Sequence, residues 1–153
     1  MGRKAQSCHR RGFGNCNNNA INSKVMKYFT MSEMTRTNTG LQNLPCATEQ
    51  ANLRKLVDNV LDPLRELYGK PIKINSGYRS PMVNARVNGA KNSEHVKGMA
   101  ADITAGSKEE NKKLFELIKN NFKFRQLINE YDFSWVHVSY NEHDNKKQIL
   151  EVK

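Results

Sequence analysis

Ser93-Glu94-His95-Val96-Lys97-Gly98-Met99-Ala100-Ala101-Asp102 is the stretch on which the reading of this chain turns. A Gly/Ser-rich loop carrying His95 runs directly into the apolar segment Ala100-Ala101-Asp102-Ile103. A carboxylate in such a segment is costly unless it is paired or bound to metal. The interval of seven suits a loop-to-strand turn and does not place both residues on one helical face. A lone histidine follows about thirty-five residues later, in the alternating run Trp135-Val136-His137-Val138-Ser139. As a strand, that run puts Trp135, His137 and Ser139 on one face and turns the two valines to the core. Two imidazoles and one carboxylate form a ligand set suited to zinc with a fourth position left open for water. Magnesium and calcium prefer all-oxygen shells.

The surrounding sequence predicts an α+β fold in one domain, a small antiparallel sheet with helices on one side. Thr30-x-x-Glu33 makes a capping box for a short helix. Thr48 to Tyr68 reads as the longest helix, with Leu53, Leu56, Val57, Val60, Leu61, Leu64 and Leu67 on one face. Pro63 should kink or split it, because proline removes a backbone donor and clashes with the preceding turn. Ile72 to Asn75 alternates as a half-buried strand. Ser80-Pro81 opens a short helix, and Asn88-Gly89 suits a left-handed turn. Met99 to Thr104 is a second strand, and Ser107-x-x-Glu110 caps a helix running to about Asn121. Gln126 to Glu130 and Trp135 to Ser139 form a hairpin around Tyr131–Ser134, and Gln148 to Val152 is an expected edge strand.

Composition narrows the classes. With 153 residues and 37% hydrophobic content the chain suits one ordinary globule. No apolar run approaches the roughly 18–20 residues needed to span a bilayer, so no membrane partner is expected. Residues 1–25 hold Arg3, Lys4, Arg10, Arg11 and Lys24 with no acid, half of the net charge of +10. They have no apolar stretch behind the basic residues, so they are not read as a secretory signal. They read instead as a disordered basic tail ahead of a domain at 26–153, or as a leader upstream of Met26. The basic surface favours a polyanion such as nucleic acid or an anionic cell wall. Nucleic acid is disfavoured by the lack of aromatic–basic interleaving and of zinc-finger spacing. Cys8, Cys16 and Cys46 form no C-x-x-C pair, which argues against a disulfide framework and points to synthesis in a reducing cytoplasm.

Three ordered motifs then carry a resemblance. Ser76-Gly77-Tyr78-Arg79-Ser80-Pro81 is followed by Asn84, Val87 and Gly89. Next come Ser93-x-His95-x-x-Gly98-x-Ala100-x-Asp102 and Trp135-x-His137-x-Ser139. Over roughly residues 27–140 this resembles the zinc D-Ala-D-Ala carboxypeptidase family, which takes in phage endolysin peptidases, vancomycin-resistance dipeptidases and the related Hedgehog signalling fold. The resemblance implies a Hedgehog/DD-peptidase-like fold and a zinc metallopeptidase acting on bacterial peptidoglycan as a monomer. The endolysin or prophage branch fits best, with release to the wall through a holin or on a virion. It implies His95, Asp102 and His137 as zinc ligands. Arg79 would hold substrate and stabilise charge on the scissile carbonyl oxygen, and Ser93 would hydrogen-bond near substrate or metal. Tyr78 is a further candidate to touch substrate, with packing beside Arg79 as the alternative. Family members often place an acid three residues before the last histidine, and here that position is Ser134. The general base is therefore expected from Glu130 at the end of the neighbouring strand, with Asp132 in the turn as the alternative. A non-catalytic, zinc-stabilised wall-binding module is the competing reading.

Deleting residues 1–25 is expected to leave the melting temperature nearly unchanged and to weaken salt-sensitive binding to cell walls. Thermal denaturation and wall pull-down at two salt concentrations measure both.

Overall fold

The first helix, α1 (Met31–Thr35), starts where Thr30 accepts from the Glu33 backbone while Glu33 reaches back to Thr30. This is the reciprocal cap expected from the sequence. The computed structural model describes residues 26–153. The expectations for residues 1–25, with Cys8 and Cys16, lie outside the described residues.

The long apolar repeat becomes α2 (Ala47–Leu56), a π-helical segment (Val57–Leu61) and α3 (Asp62–Tyr68). Pro63 sits in the first turn of α3, and the Asp62 amide donates to the Val57 carbonyl, five residues back. The wider turn absorbs the donor and the space that proline removes. It also shifts the buried stripe. Leu53, Leu56, Val57, Val60, Leu61 and Leu64 are fully buried, but Leu67 is 52% exposed. Tyr68 packs against the core in its place. The carboxylate of Asp62 accepts from the backbone of Lys27 (2.7 Å) and Tyr28 (3.0 Å), which pins the start of the described chain to this helix.

Five strands follow: β1 (Lys73–Ser76), β2 (Ala100–Thr104), β3 (Gln126–Glu130), β4 (Trp135–Ser139) and β5 (Gln148–Val152). Their order across the sheet is β1-β2-β4-β3-β5. The first four pair antiparallel, as expected, but β5 lies parallel to β3. The connection from β4 doubles back past Asn141–Lys147 before pairing, so β5 enters in the direction of β3. Between β1 and β2 come α4 (Pro81–Arg86), capped by Ser80, and a 3-10 turn (Glu94–Lys97). Helix α5 (Lys108–Asn121), capped by Ser107, crosses from β2 to β3.

Strand alternation sorts the sheet into two faces. Ile74, Ala101, Ile103, Leu127, Val136 and Val138 join the helical leucines in one core. The opposite face carries Asp102 and His137, directly paired across β2 and β4. Ser76 stands opposite Asp102 because a bulge at Asn75 skips one residue of β1.

Two glycines let the loops flanking this site pack against the backbones of α1 and α2. A Cβ on Gly77 would lie 2.3 Å from the Met34 carbonyl oxygen, and one on Gly98 would lie 2.5 Å from the Glu49 carbonyl oxygen. Gly98 is also left-handed, at φ +70°, whereas Gly69 is left-handed (φ +76°) with open space around it. Gly69→Ala should therefore lose only the backbone term, about 1–2 kcal/mol. Gly98→Ala should lose distinctly more, with the excess read from paired urea-denaturation curves.

Candidate metal centre

His95 is held on the 3-10 turn by its own backbone. The Ser93 hydroxyl accepts from the His95 amide (3.3 Å), the turn ends on left-handed Gly98, and the His95 carbonyl accepts from the Arg79 amide (3.1 Å). The side chain is 3% exposed. Its Nδ1 lies 2.7 Å from the Gly77 carbonyl oxygen. A carbonyl can only accept, so Nδ1 carries the proton and Nε2 is left with a lone pair. Burial pushes the imidazole pKa down despite the nearby carboxylate, which keeps the ring neutral.

That lone pair faces two further donor atoms. His95 Nε2 is 3.2 Å from Asp102 Oδ1 and 3.2 Å from His137 Nδ1, and the last two are 2.9 Å apart. All three residues are buried. Ligands about 2.0–2.1 Å from a tetrahedral zinc lie about 3.3 Å from one another, so these atoms nearly form one face of such a shell. His95 Nε2 and Asp102 Oδ1 are both acceptors pointing at each other, an opposition that a cation between them removes. The donor set and its spacing fit zinc.

Arg79 fixes the carboxylate. Its Nη2 donates to Asp102 Oδ2 (2.8 Å) and its Nε to the Ser76 hydroxyl (2.9 Å), leaving Oδ1 for the metal position. Burial alone would raise the Asp102 pKa, but its interactions with the two imidazoles, among them the His137 hydrogen bond, outweigh it. The group stays well below the usual carboxylate range.

Glu130 lies on the same face. It pairs with Trp135, one row along from the Ile128–His137 pair, which sets it diagonal to His137. Burial pushes its carboxyl up and the Asp102 carboxylate adds to the rise, while His137 and Arg79 pull the other way. Asp132 is placed elsewhere. Its side chain is 82% exposed and pairs with Lys108 at 2.9 Å. Tyr78 is 6% exposed and belongs to the core cluster. Ser93 serves as the cap that orients His95.

Several supports had no signal in the local sequence pattern. Asn43 is buried, donates to the carbonyls of Thr35 and Tyr78, and accepts from the Ser80 amide, which braces the Arg79 loop. Buried Glu94 pairs with Arg125 Nε (3.3 Å) and Lys97 Nζ (3.6 Å), tying the His95 turn to the start of β3. The hairpin turn runs through three successive left-handed residues, Tyr131, Asp132 and Phe133, at φ 49°, 55° and 58°. Asn129 accepts from the Phe133 amide, and Asn111 donates to the carbonyls of Phe133 and Ser134. These bonds stabilise a conformation that L-residues otherwise avoid.

A family model described as Peptidase M15 matches residues 27–139. The zinc D-Ala-D-Ala carboxypeptidase of Streptomyces albus G is 40% identical over 81 residues, 52% of this chain. That match spans 32% of the length of the curated relative.

The chain should bind one zinc. Free zinc at a hundred times its dissociation constant contributes about 2.7 kcal/mol, or a melting temperature roughly 5–10 °C higher. His137→Ala should lose that increment together with the metal, as followed by thermal denaturation and elemental analysis. An equal rise in the variant would remove His137 from the ligand set.

Proposed function

The chain belongs to the peptidase M15 family, and from that premise we propose that it hydrolyses a peptide bond of bacterial peptidoglycan. The curated relative is named for D-Ala-D-Ala carboxypeptidase activity. The observation that carries the reading is the buried triangle of His95, Asp102 and His137, with Arg79 and Glu130 placed on the same face. A phage or prophage lysis setting is the biological context we infer. The net charge of +10 would draw the protein to an anionic wall. Among the described residues, no helix is long and apolar enough to cross a membrane.

Zinc held by these ligands supplies Lewis acidity, polarising a carbonyl and making water acidic enough to attack near neutral pH. The remaining steps belong to the protein. Glu130 takes the proton of the attacking water and returns it to the leaving amine nitrogen. Its position beside the ligand strand lets it serve without a carboxylate at Ser134. Arg79 spends Nε on Ser76 and Nη2 on Asp102, which leaves Nη1 to donate to the carbonyl oxygen as negative charge develops there. The buried walls around His95 and Asp102 exclude bulk water and strengthen both effects.

Glu130→Gln should lower turnover by about 10²–10⁴-fold while zinc stays bound. Asp132→Asn should stay close to the parent, because its carboxylate is solvated and paired with Lys108. Both are compared at equal zinc occupancy by digesting purified peptidoglycan and identifying released peptides by mass spectrometry. The masses also identify the bond that is cut. Loss of rate in Asp132→Asn alone would move the base to the turn, and absence of turnover in the parent would favour the wall-binding module.

A further inference from the structure

We propose that the cleft beside Arg79 is an acid-selecting subsite, holding a free carboxylate of the peptide substrate about two residues from the bond that is cut. The proposal rests on the peptidase reading above. The cleft has a volume of about 640 Å³ and is walled by residues 36–38, all of β1, Tyr78, Arg79 and the valines Val83 and Val87. Because β1 is the outermost strand of its side of the sheet, one of its edges has no neighbouring strand. Successive strand residues point to opposite faces, yet Lys73, Ile74, Asn75 and Ser76 all line the cleft. The cleft therefore runs along the unpaired backbone edge, where an extended peptide can add as a further strand.

One end of that edge meets the reaction centre. Ser76 stands opposite Asp102 and accepts from Arg79. Lys73 lies three residues upstream, roughly 7–10 Å away at the usual strand rise shortened by the bulge. An extended substrate covers that distance in two to three residues. When a single terminal residue is the leaving group, only the acyl side of the substrate is long enough to reach it.

The charge of the wall selects what binds there. Arg36, Lys73 and Arg79 line the cleft, and no lining residue is acidic. Among the described residues, neither Arg36 nor Lys73 forms an ion pair. Both are exposed and stand free to meet a carboxylate brought in by the substrate. A peptidoglycan stem peptide carries such a group on its second-position D-glutamate, two residues before the penultimate D-alanine.

The test uses two forms of the stem tetrapeptide ending at that D-alanine, with the glutamate α-carboxylate free or amidated. Calorimetric titration into the zinc-loaded full chain should give roughly three- to tenfold tighter binding of the free acid. Arg36→Gln/Lys73→Gln should abolish the difference by weakening the acid form alone. Equal binding of the two forms by the parent, no binding of either, or a preference that survives the double substitution overturns the subsite. Peptidoglycan digestion by the same preparations separates this from the function itself. Turnover without discrimination leaves the peptidase standing and removes the subsite. Discrimination without turnover does the reverse.

Discussion

An ionised carboxylate in the middle of a sheet is the constraint around which this protein is arranged. Asp102 is buried on β2, where an uncompensated charge is prohibitively unfavourable. Each oxygen has its own answer: Oδ2 receives Arg79, and Oδ1 faces the two imidazoles. Meeting those demands fixes much of the rest. Arg79 must come from a loop braced by Asn43 and Ser76, and His95 from a turn closed by Ser93 and Gly98. His137 must sit in register on β4. These loops can pack closely on the backbones of α1 and α2 because Gly77 and Gly98 carry no side chain.

The sheet supplies this geometry in rows. Ser76, Asp102, His137 and Ile128 form one row across four strands, and Trp135 and Glu130 begin the next. Residues far apart in the chain become neighbours at strand spacing, and those close in the chain separate. Asp132 is only two residues from Glu130, yet it points to solvent from a left-handed turn. A carboxylate can thus stand beside the ligand strand although the position three residues before His137 is a serine.

Much of this was legible because local rules and the fold agree. The capping residues Thr30, Ser80 and Ser107 mark helix starts where side-chain oxygens meet free amides. The alternation around His137 gives its strand and its face, and the seven-residue interval gives the loop-to-strand turn. What could not be read depends on distant partners. The exposure of Leu67 follows from the π segment ahead of it, and the parallel entry of β5 depends on which edge its connection reaches. Asn43 braces a segment thirty-five residues away and leaves no periodic trace. Three consecutive left-handed residues at 131–133 are unexpected from Tyr-Asp-Phe, because the asparagines that stabilise them come from α5 and β3.

The pairing of Asp102 with His137 has a consequence for how the chain finds its native sheet. Side chains on a strand alternate faces, so sliding β4 by one residue against β2 would swing His137 into the leucine core and Val136 or Val138 into the polar face. Valine-rich strands alone tolerate several pairings of similar hydrophobic content. Ligands split between two adjacent strands do not, since only one alignment brings both imidazoles to the same carboxylate oxygen. The His–Asp–His group therefore also favours one register of β4 against β2, since a pairing shifted by one residue would take His137 away from the Asp102 carboxylate.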